Sequence, residues 1–154
     1  MKTFEELKKE LLIRAKNAGA CQLGYAMGLR SNTRADLLKA ITDNWFWVLR
    51  DAKIVDARYL EDNFTEEELS NAGIYTKKYH AVRTASFACG SATVKAYGSA
   101  TVKAYDSATV KAYDNSYIED YIGNIRPESD YAIVKDYHNH KIYIKKGQFE
   151  IIEV

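Results

Sequence analysis

An eight-residue repeat constrains the fold of this chain more than any other feature of its sequence. The octad Ser-Ala-Thr-Val-Lys-Ala-Tyr, followed by Gly or Asp, begins at Ser91, Ser99 and Ser107. Further along the chain, apolar residues recur at distances from Val94 that are multiples of eight residues: Ile118, Val134 and Ile142. A fixed short period indicates a repeat architecture, in which each unit buries a face only by stacking on its neighbours.

Within each octad, small apolar residues alternate with polar or aromatic ones, which is the two-residue period of a strand with one buried face. In the first octad the inward set is Ala92, Val94 and Ala96, and the outward set is Thr93, Lys95 and Tyr97. Turn residues separate the octads at Gly98, Asp106 and Asp114. Small inward residues predict a narrow interior, and two octads per coil would form two thin sheets. We therefore predict a short two-sheeted β-solenoid, with an antiparallel β-meander as the alternative.

The N-terminal half has a helical pattern instead. Thr3 with Glu6, and Thr65 with Glu68, have the spacing of capping boxes, which begin helices. One predicted helix has a stripe of apolar residues at helical spacing: Leu37, Ile41, Trp45 and Val48. The sequence thus predicts an α+β chain with a helical domain at residues 1–78.

The octapeptide-repeat domain is predicted at residues 83–154. Its last part, residues 142–152, has the pattern of a β-hairpin that turns at Lys146 and Gly147. The larger side chains of this segment suit a terminal cap, which a solenoid needs because an open sheet edge invites pairing with another chain.

Charge and composition restrict the classes of partner. The 22 basic and 21 acidic side chains leave a net charge of +1, so the chain as a whole has neither the basic excess of a general nucleic-acid binder nor the acidic excess of a DNA mimic. No apolar run is long enough to cross a bilayer, and the N-terminus lacks a secretory signal. Cys21 and Cys89 are far apart in sequence, which favours reduced thiols. These features predict a cytoplasmic protein that does not bind membranes.

Motifs that carry chemistry are missing from the sequence, which contains no phosphate-binding glycine loop, no nucleophile elbow and no CxxC pair. His138 and His140 could share one side of a strand, but only Asp136 or His80 could join them, and a zinc site needs three or four protein ligands. We therefore predict that the protein is not an enzyme, with no catalytic residues, no metal site and no cofactor.

The outward side chains of the repeat are the candidate partner-binding residues. Tyrosine offers a large contact area with a polar tip, which suits recognition of another protein. Lysine beside aromatic rings also suits a nucleic-acid backbone, while stacked tyrosines can serve only to stabilise a sheet. The residues in question are Lys95, Lys103 and Lys111 in one column and Tyr97, Tyr105, Tyr113 and Tyr121 in the other. Trp47 is a further candidate because it falls outside the buried helical stripe.

The chain resembles a group of small proteins from Bacteroidales genomes, phages and mobile elements. These proteins pair an N-terminal helical segment with tandem octads similar to SATVKAYD, and the likeness is carried here by residues 65–75 and 91–114. The resemblance implies an accessory role in a mobile element, and small proteins of such elements often bind and inhibit a host defence complex, such as a CRISPR–Cas complex.

Together, these observations predict a non-enzymatic protein-binding adaptor or inhibitor. The alternative is a nucleic-acid-binding accessory protein that uses the lysine and tyrosine columns. A third hypothesis is a structural role through homo-oligomerisation at a sheet edge.

Overall fold

The computed structural model describes all 154 residues, which form two compact units, Met1–Ala72 and Gly73–Val154. The first unit is helical, and the second is a β-solenoid in which successive coils pair in parallel. The predicted α+β fold class is therefore confirmed.

The helical unit contains five α-helices and one π-helical segment: α1 (Phe4–Asn17), α2 (Gln22–Arg30), α3 (Arg34–Asp43), the π-helical segment Trp47–Asp51, α4 (Ala57–Asn63) and α5 (Glu66–Asn71). Both predicted capping boxes are present, at Thr3 and Thr65. The apolar stripe of α3 and the residues after it is buried as its spacing predicts, although α3 ends at Asp43. Helical geometry is interrupted there by Asn44, whose side-chain amide donates to the Ala40 carbonyl at 2.9 Å.

The β-solenoid contains nine short strands: β1 (Ile74–Tyr75), β2 (Tyr79–Val82), β3 (Ser86–Ala88), β4 (Thr93–Ala96), β5 (Thr101–Ala104), β6 (Thr109–Ala112), β7 (Tyr117–Asp120), β8 (Ile133–Asp136) and β9 (Lys141–Tyr143). They form two sheets, with strand orders β1-β3-β5-β7-β8-β9 and β2-β4-β6. Every strand pair is parallel except β8 with β9. Parallel pairing between alternate strands excludes the meander, whose consecutive strands would pair antiparallel.

Each full coil contains two octads. Val94 pairs with Val110, and Val102 pairs with Ile118, so partner residues are sixteen apart in sequence. The inward alanines and valines of the two sheets pack into one core, and Val102 is fully buried between Ala100 and Ala104. The predicted assignment of inward and outward residues is confirmed at these positions.

The solenoid begins before residue 83, where the sequence predicted its start. Strands β1 and β2 already pair in parallel with β3 and β4. Val82 lies opposite Ala96, only fourteen residues further on, so the first coil is shorter than the later ones. A shorter coil shifts its residues out of the eight-residue register, and for this reason the repeat could not be followed upstream by its period.

The C-terminal hairpin is also displaced from its predicted position. The antiparallel pair is β8 with β9, and its turn occupies residues 137–140 rather than Lys146 and Gly147. The physical reason is the buried carboxylate of Asp136, which accepts hydrogen bonds from the backbone N–H of Asn139 at 2.8 Å and from its side-chain amide at 2.9 Å. Residues 144–154 form no strand.

A second buried carboxylate organises the loop after β7. Asp120 accepts three backbone hydrogen bonds, from Ile122 at 2.7 Å and from Gly123 and Ile125 at 2.9 Å each. Burial acts to raise the pKa of Asp136, but hydrogen bonds from Asn139 outweigh it and hold that pKa below its usual range. Both aspartates occupy the inward octad position that is alanine in the regular octads, as at Ala96. Each therefore has a carboxylate in place of a buried methyl group, and this carboxylate holds the turn that follows.

Candidate protein-interaction face

The two sheets divide the predicted lysine and tyrosine columns between two surfaces. We call the outward surface of β2, β4 and β6 the basic face; its charged and aromatic residues are Tyr79, Arg83, Lys95, Tyr97, Lys111 and Tyr113. We call the outward surface of β5, β7 and β8 the mixed-charge face, which carries Lys103, Tyr105, Tyr117, Glu119, Tyr121, Lys135 and Tyr137. The sequence predicts this division, because two octads per coil place alternate octads on opposite sheets.

On the mixed-charge face, the lysines have a carboxylate neighbour. The Lys103 ammonium lies 3.6 Å from the Glu119 carboxylate, and Lys135 is the next residue in the same column. A hydrogen bond to Tyr137, with a smaller contribution from Glu119, raises the pKa of Lys135. The octad pattern predicts only that Lys103 points outward; the structure adds its ion pair with Glu119.

On the basic face, no carboxylate on a neighbouring strand balances the charge of the lysines. The three strands that form it contain no aspartate or glutamate, and Lys95 lies directly opposite Lys111 in the parallel register. Like charges opposite each other weaken strand pairing. A hydrogen bond to Tyr79, together with the neighbouring phenol groups of Tyr97 and Tyr113, raises the pKa of Lys95. This face therefore presents fixed positive charge that the sheet itself does not neutralise.

Tyrosine rings stack on one another along both surfaces. Tyr97 and Tyr113 have ring centroids 5.1 Å apart at an interplanar angle of 10°, while Tyr121 and Tyr137 are 4.5 Å apart at 7°. The Arg83 guanidinium lies 5.6 Å from the centroid of the Tyr97 ring. The stacked rings cover part of each other's faces.

The Tyr97–Tyr113 stack should stabilise the sheet measurably even in the free protein. We expect a double-mutant cycle with Tyr97→Leu and Tyr113→Leu to give a coupling of about 0.5–1.5 kcal/mol in the free energy of unfolding. The measurement is chemical denaturation of the wild type, both single variants and the double variant. A coupling near zero would show that the rings contribute by burial alone.

Trp47 and the histidine pair lie outside the two faces. Trp47 belongs to the helical unit, where it lines an apolar cavity, and it is not part of the repeat. His138 and His140 both lie in the turn between β8 and β9, where they are exposed, while the His80 ring bonds to the Lys77 carbonyl at 2.8 Å. No group of three or more His, Cys, Asp or Glu side chains lies close enough together to hold a metal ion.

The structural role of Asp120 was not predicted from the sequence. The available signal was an aspartate in a column otherwise filled by buried alanine, at Ala96, Ala104 and Ala112.

None of the helices has both the length and the apolar character required to span a bilayer.

Fold and surface together define the class of protein: a parallel, two-sheeted β-solenoid preceded by a helical unit, with one uncompensated basic face. No protein-family model, curated protein or solved structure matches the chain. The resemblance to proteins of Bacteroidales mobile elements stays a prediction from the sequence.

Proposed function

We propose that the protein is a non-enzymatic binding protein, an adaptor or inhibitor that occludes an acidic surface of another protein with its basic face. The observation that carries the proposal is the pair Lys95 and Lys111, which lie opposite each other on strands without a carboxylate. The corresponding position on the other sheet pairs Lys103 with Glu119. An acidic partner would relieve the repulsion between the two lysines, and complementary charge favours both the rate and the specificity of association.

The tyrosines support a protein partner. Tyrosine hydroxyls and ring edges combine apolar contact with hydrogen bonding and lose little conformational entropy on binding. Tyr97 and Tyr113 are already stacked, so their side chains are ordered before a partner arrives. A partner of this type could be a host defence complex such as a CRISPR–Cas complex, which is the class that the resemblance implies.

The alternative partner is a nucleic acid, which the positive charge would also attract. Single-stranded nucleic acids bind aromatic side chains chiefly by stacking a base on an open ring face. In the basic face, Tyr97 is stacked on Tyr113 and has Arg83 nearby, and the Lys95 ammonium lies 5.3 Å from the centroid of the Tyr79 ring. This arrangement favours an acidic protein surface over a single strand.

Removal of charge from each face provides the test. Immobilised wild-type protein should retain a stoichiometric protein partner from a Bacteroidales lysate, which is then purified for titration. We expect Lys95→Gln with Lys111→Gln to weaken that partner's binding at least about tenfold, since complementary charges contribute to affinity and association rate. The matched control is Lys103→Gln with Lys135→Gln, which removes the same charge from the mixed-charge face and should change the affinity less than about twofold.

Equal effects of the two double variants would contradict the assignment to the basic face. Gel-shift titrations with single- and double-stranded oligonucleotides at low salt form the second arm. A complex that weakens steeply with salt, formed without any protein partner, would replace the proposed function by the nucleic-acid alternative.

A further inference from the structure

The helical unit contains an apolar cavity that the proposed function does not use. Its volume is about 350 Å³, and it lies among α1, α2, α3 and the chain around the π-helical segment. Small-molecule sites in proteins begin at about 300 Å³ and have mostly apolar walls with a few polar groups. Its wall includes Leu12, Ala15, Gly24, Gly28, Ala40 and Asn44.

The wall chemistry restricts the ligand. None of the lining residues carries a charged side chain. A charged ligand would lose its hydration without gaining a counter-ion, which is strongly unfavourable in an apolar site. The cavity therefore suits an uncharged molecule with a large apolar part.

One polar group of the wall has unused hydrogen-bonding capacity. The Asn44 side-chain nitrogen donates to the Ala40 carbonyl at 2.9 Å and contacts the Met27 sulfur at 3.7 Å. Its side-chain oxygen is directed toward Gly24, since a Cβ at Gly24 would lie 3.3 Å from it, and it accepts no hydrogen bond from the protein. A ligand hydroxyl or N–H in the cavity can donate to this oxygen.

Helix α2 forms a loosely packed wall of the cavity. None of its nine residues is buried, although the helix includes Leu23, Met27 and Leu29. Gly28 allows close approach to α1, because a Cβ there would lie 3.1 Å from the Leu12 side chain. Segments with few buried contacts open at low free-energy cost, so α2 offers a route of entry.

We propose that this cavity binds one small, uncharged, mostly apolar molecule that donates a hydrogen bond to Asn44. A cavity of about 150 Å³ accommodates benzene, so this volume corresponds to roughly a dozen non-hydrogen atoms. A medium-chain alcohol represents this chemistry. The site lies in the unit that precedes the repeat, so the proposal is independent of the basic face.

The test is titration calorimetry of the full chain with 1-octanol and two comparators of similar size. We expect saturable one-site binding of 1-octanol and at least about tenfold weaker binding of octanoate, because the wall contains no cation. The ether 1-methoxyheptane has the same number of non-hydrogen atoms but no donor, and should bind at least about threefold more weakly. Equal binding of alcohol and ether would overturn the role of Asn44, and equal binding of octanoate would overturn the site chemistry.

Cavity-filling variants locate the site. Ala40→Leu on α3 and Ala15→Leu on α1 add atoms at two places in the wall, and each should weaken 1-octanol binding at least about tenfold. The matched control Ala18→Leu adds the same atoms at an exposed residue outside the cavity and should leave binding unchanged. Circular dichroism checks that each variant is folded, and the comparison of ligands on the wild type stands without any variant. Absence of saturable 1-octanol binding to the wild type, or undiminished binding to both folded cavity variants, would overturn the proposal.

Discussion

Replacement of Val102 by Asp is expected to destabilise the solenoid by about 3–5 kcal/mol, or to prevent its folding, because it places a carboxylate in an apolar interior without a partner. Val102 is fully buried, and so are Ala100 and Ala104 on either side of it along the strand. The residue stands in the middle of the column between Ser86 and Ile118, so no solvent lies above or below it in the sheet. Chemical denaturation followed by circular dichroism measures the effect.

The matched control is the adjacent outward residue. Lys103→Gln removes the ion pair with Glu119 but leaves a polar side chain at a partly exposed position. We expect a loss of at most about 1 kcal/mol, as is typical of exposed ion pairs. If the Lys103 variant unfolded the protein and the Val102 variant did not, the inward and outward faces would have to be exchanged, because a one-residue shift moves every side chain to the other side.

The second large effect is expected at Asp120. Its replacement by Ala would leave three backbone N–H groups, those of Ile122, Gly123 and Ile125, without their acceptor. An unsatisfied buried donor costs about 1–3 kcal/mol. The Ile125 N–H is buried and the other two are part-buried, so we expect a total loss of about 2–4 kcal/mol in the free energy of unfolding. Denaturant unfolding of the full chain measures this loss.

Asp130→Ala provides the matched control for this variant. Asp130 is exposed and lies 3.9 Å from the exposed Lys145, so its removal should cost less than about 1 kcal/mol. Similar losses for the two variants would show that the Asp120 carboxylate does not hold the loop. A large loss only at Asp120 would support the view that buried aspartates replace alanine where the repeat gives way to longer loops.

The sequence was sufficient to predict the solenoid because the octads are nearly identical. Strict alternation identified the buried column that includes Val94, Val102 and Val110, and small inward residues indicated a thin interior. Parallel pairing at a distance of two octads then followed from the need to stack equivalent residues. Three copies of one octad define a period far better than any single strand could.

The ends of the solenoid could not be predicted in the same way, because the first coil is shorter than sixteen residues and the last coil, although it keeps that length, departs from the octad pattern. Val82 pairs with Ala96 through a coil two residues short, and the loop after Asp120 replaces a strand of the second sheet. The hairpin turn was misplaced because the Lys146-Gly147 pair resembles a turn, while the turn that forms depends on Asp136 and Asn139. Side-chain hydrogen bonds of this kind leave no periodic signal.

The candidate face was predicted only in part. The lysine and tyrosine columns were visible in the sequence, but the charge environment of each lysine depends on the residue that pairs with it on the same sheet, sixteen positions further on. Glu119 lies sixteen residues after Lys103, whereas Lys111 lies sixteen residues after Lys95. The Asn44 cavity was not predicted, because it depends on how α1, α2 and α3 pack.

Site-specific photo-crosslinking tests most directly the proposal that the partner binds the basic face. Thr109 and Thr101 occupy the same octad position on the two faces, so a photoreactive amino acid at either one samples one surface only. The partner protein that immobilised wild-type protein retains from a lysate should crosslink efficiently to the photoreactive group at position 109. It should crosslink at most weakly to the group at position 101. Equal crosslinking from both positions, or crosslinking only from position 101, would contradict the account.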